Sequence, residues 1–122
     1  MSVWPPIGEQ WKEEAIQRYI AMMGLRHDLV FHGDASGAHK GIVGGNKMKL
    51  AGARKGWPDL CFWTPRLVYI ELKTMVGVQS KEQRELNDIA DKLGIEYHLV
   101  KALDGPDGWA KVAGILGNEI SK

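Results

Sequence analysis

Between Gly33 and Gly56, seven glycines (Gly33, Gly37, Gly41, Gly44, Gly45, Gly52 and Gly56) fall within 24 residues. Glycine loses more backbone freedom on folding than any other residue, so this stretch builds neither a helix nor a strand interior. The core has to come from what flanks it: a short segment before and a longer one after. A loop this long without structure of its own is uncommon and is usually functional. At 122 residues and 13.6 kDa the whole chain, 1–122, is expected to be a single domain. The loop is also electrically one-sided. From Ser36 to Lys55 it carries Lys40, Lys47, Lys49, Arg54 and Lys55, one histidine (His39) and no acid. The chain overall has 16 basic against 15 acidic residues, a net charge of +1. That balance excludes a polybasic tail and an acidic mimic, yet it hides a local basic patch.

The flanking segments read as regular elements. Trp11, Ala15, Ile16, Tyr19, Ile20 and Met23 recur at three- and four-residue spacing, which predicts a helix from about Glu9 to Met23 with Gly24 as its stop. Leu29-Val30-Phe31 reads as a strand. After the loop come Asp59–Trp63 and Leu67–Lys73, joined by Thr64-Pro65-Arg66, a connection short enough for an antiparallel hairpin. A helix follows Ser80 and ends at Gly94, with Ser80 and Gln83 matching the S-x-x-Q capping box. Glu96–Val100 is a further strand, and about Asp107 to Leu116 a last helix with Trp109 on its apolar face. The order predicts an α/β domain with a mixed central sheet flanked by helices.

The chemistry concentrates on one strand. Side chains alternate along extended backbone, so Leu67, Tyr69, Glu71 and Lys73 share one face while Val68, Ile70 and Leu72 share the other. In the hairpin, Asp59 comes near Glu71 at the open end. Two carboxylates held close repel, and a divalent cation relieves them; oxygen-only ligation suits magnesium or manganese. Lys73 beside such an ion is placed to orient or help deprotonate a water. Taken alone, a Glu-x-Lys step is common on solvated strands. Pro58-Asp59, the apolar flanks and the basic loop just upstream raise its weight, giving the pattern P-D-x11-E-x-K.

Gly56-Trp57-Pro58-Asp59-Leu60, then Tyr69-Ile70-Glu71-Leu72-Lys73-Thr74, then Ser80-Lys81-Glu82-Gln83, resembles the VRR-NUC branch of the PD-(D/E)xK nucleases, over about Gly8 to Leu116. The resemblance implies a restriction-endonuclease-like core that hydrolyses DNA phosphodiesters with Mg2+ or Mn2+ and leaves 5′-phosphate and 3′-hydroxyl ends. It makes Asp59 and Glu71 metal ligands, the main-chain carbonyl of Leu72 a third, and Lys73 the catalytic lysine. It also places a glutamine at Gln83 near the site, a role that stands beside the capping role. On the first helix it implies a glutamate four residues before Gln17, which is Glu13, with Glu14 the rival as a surface acid. Small stand-alone members resemble Holliday-junction resolvases and tend to be homodimers of phages or prophages, which implies the cytoplasm of a bacterium or of a phage-infected host cell.

The basic loop suits DNA. Lysine and arginine contacts to phosphate give affinity without reading sequence, and Lys49, Arg54 and Lys55 are the chosen contacts, the last two standing closest to Asp59. A symmetric dimer would set two sites on two antiparallel strands, and the N-terminal arm, residues 1–7, offers Trp4, Pro5, Pro6 and Ile7 for an interface. Other functions find less support. Cys61, the only cysteine, excludes an internal disulfide and multi-cysteine zinc sites, and reads as a small hydrophobe. The histidines form no H-x3-H pair, and no G-x4-G-K-[ST] exists, so no nucleotide cofactor is expected. Trp11, Trp57, Trp63 and Trp109 read as core or interface; stacking on a splayed base requires an exposed one. No apolar run approaches the ~18 residues of a membrane span, and no signal peptide is evident at the N-terminus. Two alternatives stand: a DNA-binding module that keeps the fold without cutting, and a nuclease acting on RNA.

Overall fold

The structure, a computed structural model, describes residues 3–34, 52 and 54–117. In chain order its elements are α1 (Glu13–Arg26), β1 (Val30–Gly33), β2 (Leu60–Trp63), β3 (Leu67–Lys73), α2 (Lys81–Leu93), β4 (Glu96–Lys101) and α3 (Gly105–Leu116). The four strands lie in the order β1-β2-β3-β4. β1, β2 and β3 pair antiparallel, and β3 pairs parallel with β4. A parallel pair needs a crossover connection, which α2 supplies. The α/β class and the mixed sheet flanked by helices are what the chain adopts.

Alternation along β3 sets the layers. Val68, Ile70 and Leu72 are buried and join Leu60, Phe62 and Val100 in a core covered by Ile16 and Ile20 of α1 and Val112 and Leu116 of α3. Tyr69 and Tyr97 pair across β3 and β4 on the opposite face, where Leu86 and Ala90 of α2 meet them. The hairpin turn closes as expected, with the Thr64 N–H donating to the Arg66 carbonyl at 3.0 Å.

The first helix departs from its sequence pattern at both ends. It starts at Glu13 because Trp11, though buried, is held by its backbone instead: the Trp11 N–H donates to the Leu103 carbonyl at 2.8 Å. It also runs through Gly24 to Arg26. Gly24 is needed for clearance, not as a stop, since a Cβ there would sit 2.7 Å from the Phe31 ring. α3 begins two residues earlier than its apolar stripe suggests, because Asp104 caps it by accepting the Asp107 N–H at 2.8 Å. In the described part of the N-terminal arm, Trp4 packs within the chain, stacked on Trp11 at 5.7 Å, while Val3, Pro5, Pro6 and Ile7 are exposed. Of the tryptophans expected in a core or interface, Trp11 is buried, whereas Trp57 and Trp63 are exposed. Among the described residues no helix is long and apolar enough to cross a membrane.

Candidate active site

The hairpin register builds the site. Leu60 pairs with Ile70, so one step beyond the end of β2 Asp59 stands opposite Glu71, and Lys73 follows on the same face. Asp59 is gripped from three sides. Its Oδ2 accepts the Leu72 N–H at 2.6 Å, and its carbonyl accepts the Asp34 N–H at 2.7 Å and Gln17 Nε2 at 3.3 Å. The N–H and C=O of one residue leave a strand on the same edge, so the Leu72 carbonyl faces the Asp59 side. The Lys73 carbonyl points the other way and accepts from Ala102 N–H at 2.9 Å.

Glu71 is fully buried. Its Oε1 accepts the Tyr97 hydroxyl, and its Oε2 has no hydrogen-bond partner among the described residues. An unsatisfied buried acceptor costs roughly 1–3 kcal/mol, and more when charged, so this oxygen is open to a ligand. Burial, reinforced by the charges of Glu13 and Glu71 and opposed by the Leu72 N–H and by Lys73, pushes the Asp59 carboxyl up to about 6. Burial and the Glu71 carboxylate together hold the Tyr97 phenol far above its ordinary value, so it remains a donor.

Lys73 Nζ lies 3.7 Å from Glu13 Oε1, with the lysine side chain mostly buried and the glutamate about half exposed. Glu14 is exposed. The structure therefore brings Glu13, not Glu14, to Lys73, while Gln17 one turn on reaches Asp59. Gln83 is engaged at the helix start: its Oε1 accepts the Ser80 N–H at 2.8 Å and its N–H donates to Ser80 Oγ at 3.2 Å. This is the capping box, and it occupies the Gln83 carbonyl oxygen. Arg54 and Lys55 are exposed just upstream of Asp59, with Lys55 Nζ 3.7 Å from Glu82 Oε1. Lys49 lies outside the described residues.

Comparison with protein-family models, with curated proteins and with solved structures found no match. The chemistry must be read from the geometry. Among the described residues no three His, Cys, Asp or Glu side chains form a ready-made metal cluster. What the register brings opposite each other is two carboxylates, Asp59 and Glu71, whose charges act on one another, and oxygen ligands of this kind suit a hard divalent cation. Two participants escaped sequence reading. Tyr97 reaches Glu71 only because β4 pairs parallel to β3, and no local pattern announces that. Gln79, on the connection before α2, buries an Nε2 that has no hydrogen-bond partner among the described residues. Cys61 is half-buried between His32 and Tyr69 in the strand register, and burial pushes its thiol up, away from nucleophilic character.

Proposed function

We propose that this chain is a Mg2+- or Mn2+-dependent endonuclease with a restriction-endonuclease-like core, hydrolysing phosphodiester bonds of branched or otherwise structured DNA. The observation that carries the reading is the buried Glu71 carboxylate, one oxygen held by Tyr97 and the other unpartnered, facing an Asp59 that itself holds a proton unusually tightly. That donor set fits a divalent cation, with Asp59, Glu71 and the Leu72 carbonyl as its protein ligands. Such an ion, when bound, supplies Lewis-acid charge to a phosphate undergoing attack. Asp59 and Glu71 would hold that ion and make no direct contact with the phosphate. Lys73, steadied by Glu13, orients the attacking water and stabilises charge developing on the phosphate oxygens.

The test is incubation with labelled duplex, flap, single-stranded and four-way-junction DNAs in Mg2+, Mn2+ or EDTA. Cleavage with either metal and none in EDTA is expected. Asp59→Ala and Glu71→Ala should abolish cutting while DNA binding persists, because each removes a metal ligand and no phosphate contact. Binding without cutting under every metal would make the chain a DNA-binding module. Cutting of the corresponding RNAs alone would make it a ribonuclease.

A further inference from the structure

On the α2 side of the sheet lies a solvent-open cavity of about 180 Å³, lined by Pro58 and Tyr97 but by neither carboxylate. Trp57, Tyr69 and Tyr97 make its aromatic side, aliphatic residues such as Ile89, Leu93 and Ile95 make the rest, and Arg54 supplies a cation. Trp57 stands edge to face with Tyr69, ring centroids 5.9 Å apart, and keeps 45% of its surface exposed. Tyr97 joins the two places: its ring lines the cavity while its hydroxyl binds Glu71. Trp57 is also only two residues from Asp59 in the chain.

The aliphatic part of the lining would suit any apolar ligand, but such a ligand would use neither the aromatic rings nor the cation beside them. A nucleotide needs both, since every base has a face to stack and every phosphate a charge to meet. The cavity is joined to the carboxylates by Pro58, which lines it one residue before Asp59, and by Tyr97, which lines it and binds Glu71. We infer that this cavity receives an unpaired nucleobase next to the scissile phosphate, with Trp57 as the stacking platform and Arg54 facing the adjoining phosphate. The inference rests on the nuclease reading and narrows its substrate to DNA with an unstacked base beside the scissile bond. A paired base is costly to extrude, whereas one at a bulge or branch costs least.

The test uses the wild-type protein in Ca2+, a hard divalent cation that takes oxygen ligands, with two duplexes, one carrying 2-aminopurine as a single-nucleotide bulge and the other carrying it paired. Binding should quench the bulged base severalfold and leave the paired one unchanged. Trp57→Ala, at a half-exposed position, should remove the quenching and weaken bulge binding about five- to a hundredfold, the range that base–aromatic stacking commands. Trp57→Phe should retain it, and Ile89→Trp, which fills the cavity from α2, should abolish it. Quenching that is absent in the wild type, or that survives both Trp57→Ala and Ile89→Trp, overturns the inference. Cleavage assays in Mn2+ separate the two readings. Cutting of bulged and paired DNA at equal rates, indifferent to Trp57→Ala, removes the pocket and keeps the nuclease. Quenching with no cleavage of any DNA keeps the pocket and removes the nuclease.

Discussion

Asp59 carries a sign that can be measured. Its carboxyl sits at about 6 in the folded chain against an ordinary 3.8, so the folded state holds that proton more tightly than the unfolded state does. The associated stability is fully present below about pH 4 and is lost as pH rises through about 6, by up to roughly 3 kcal/mol. Glu82, Glu96 and Asp107 are shifted down and act in the opposite sense, so the comparison must be with Asp59→Asn. In EDTA, denaturant unfolding at pH 4, 5, 6 and 7 should show the wild type losing stability relative to Asp59→Asn across that interval. A difference that stays constant with pH would remove the proton from Asp59. The same proton competes with a cation, so apparent metal affinity should fall about tenfold per pH unit below 6. Tyr97 is the second handle. Tyr97→Phe deletes the donor to Glu71 Oε1, and changing a residue that orients a metal ligand typically costs 10–100-fold in metal affinity. The Mn2+ concentration for half-maximal cleavage should rise by about tenfold or more, and an unchanged titration curve would confine Tyr97 to packing. These residues differ in how far the sequence revealed them. Asp59, Glu71 and Lys73 stand out because a period-2 strand and a three-residue turn fix their mutual positions locally. Tyr97 depends on a parallel pairing across the whole of α2, which no window of sequence contains.

Between residues and domain, the elements explain how the upstream loop reaches the site. Gly56 has φ +85°, and a Cβ there would lie 2.9 Å from backbone atoms of Glu82 and Gln83 at the start of α2. The loop end is therefore pressed against the capped helix terminus, which sets where Arg54, Lys55 and Trp57 emerge. Gly56→Ala should cost more than about 1 kcal/mol, from the left-handed backbone and the clash together. Because it displaces the loop end rather than the carboxylates, it should weaken DNA binding while leaving metal binding to Asp59 and Glu71 intact. Calorimetric metal titration beside a DNA-binding assay checks this, and a joint loss of both would mean that the two parts of the site are not separable. The capping box at Ser80 was legible because every group it uses lies within four residues. The ends of α1 were not. Its apolar period includes Trp11, whose backbone is claimed by Leu103 at the far end of the chain, and Gly24, whose purpose is room for Phe31.

At the scale of the whole molecule, distant segments are tied together by a few polar contacts. Arg66 in the hairpin turn donates to Glu96 Oε1 at 2.7 Å and to the Ile115 carbonyl at 2.7 Å, joining β4 and α3 to the turn. The buried Asp104 accepts the Gly8 N–H at 2.8 Å while capping α3, and Gln10 Nε2 reaches the Ala102 carbonyl at 3.1 Å. Trp11 Nε1 donates to the Pro6 carbonyl at 2.9 Å, and Trp4 packs edge-on against Tyr19 at 5.3 Å. Of the apolar arm that the sequence offered to a second subunit, the Trp4 ring and the Pro6 carbonyl are thus engaged within the chain, whereas the Pro5, Pro6 and Ile7 side chains are exposed. Another exposed apolar row, Val30–Trp63–Leu67, runs across three strands. Deleting residues 1–7 removes the Trp4 ring contacts and the acceptor for Trp11. It should cost about 2 kcal/mol and lower the Tm by roughly 5–10 °C without changing the oligomeric state. Differential scanning calorimetry and light scattering at matched micromolar concentrations measure the two effects side by side. A truncated chain that melts where the full chain does, yet scatters as half its mass, would assign the arm to an intersubunit contact instead.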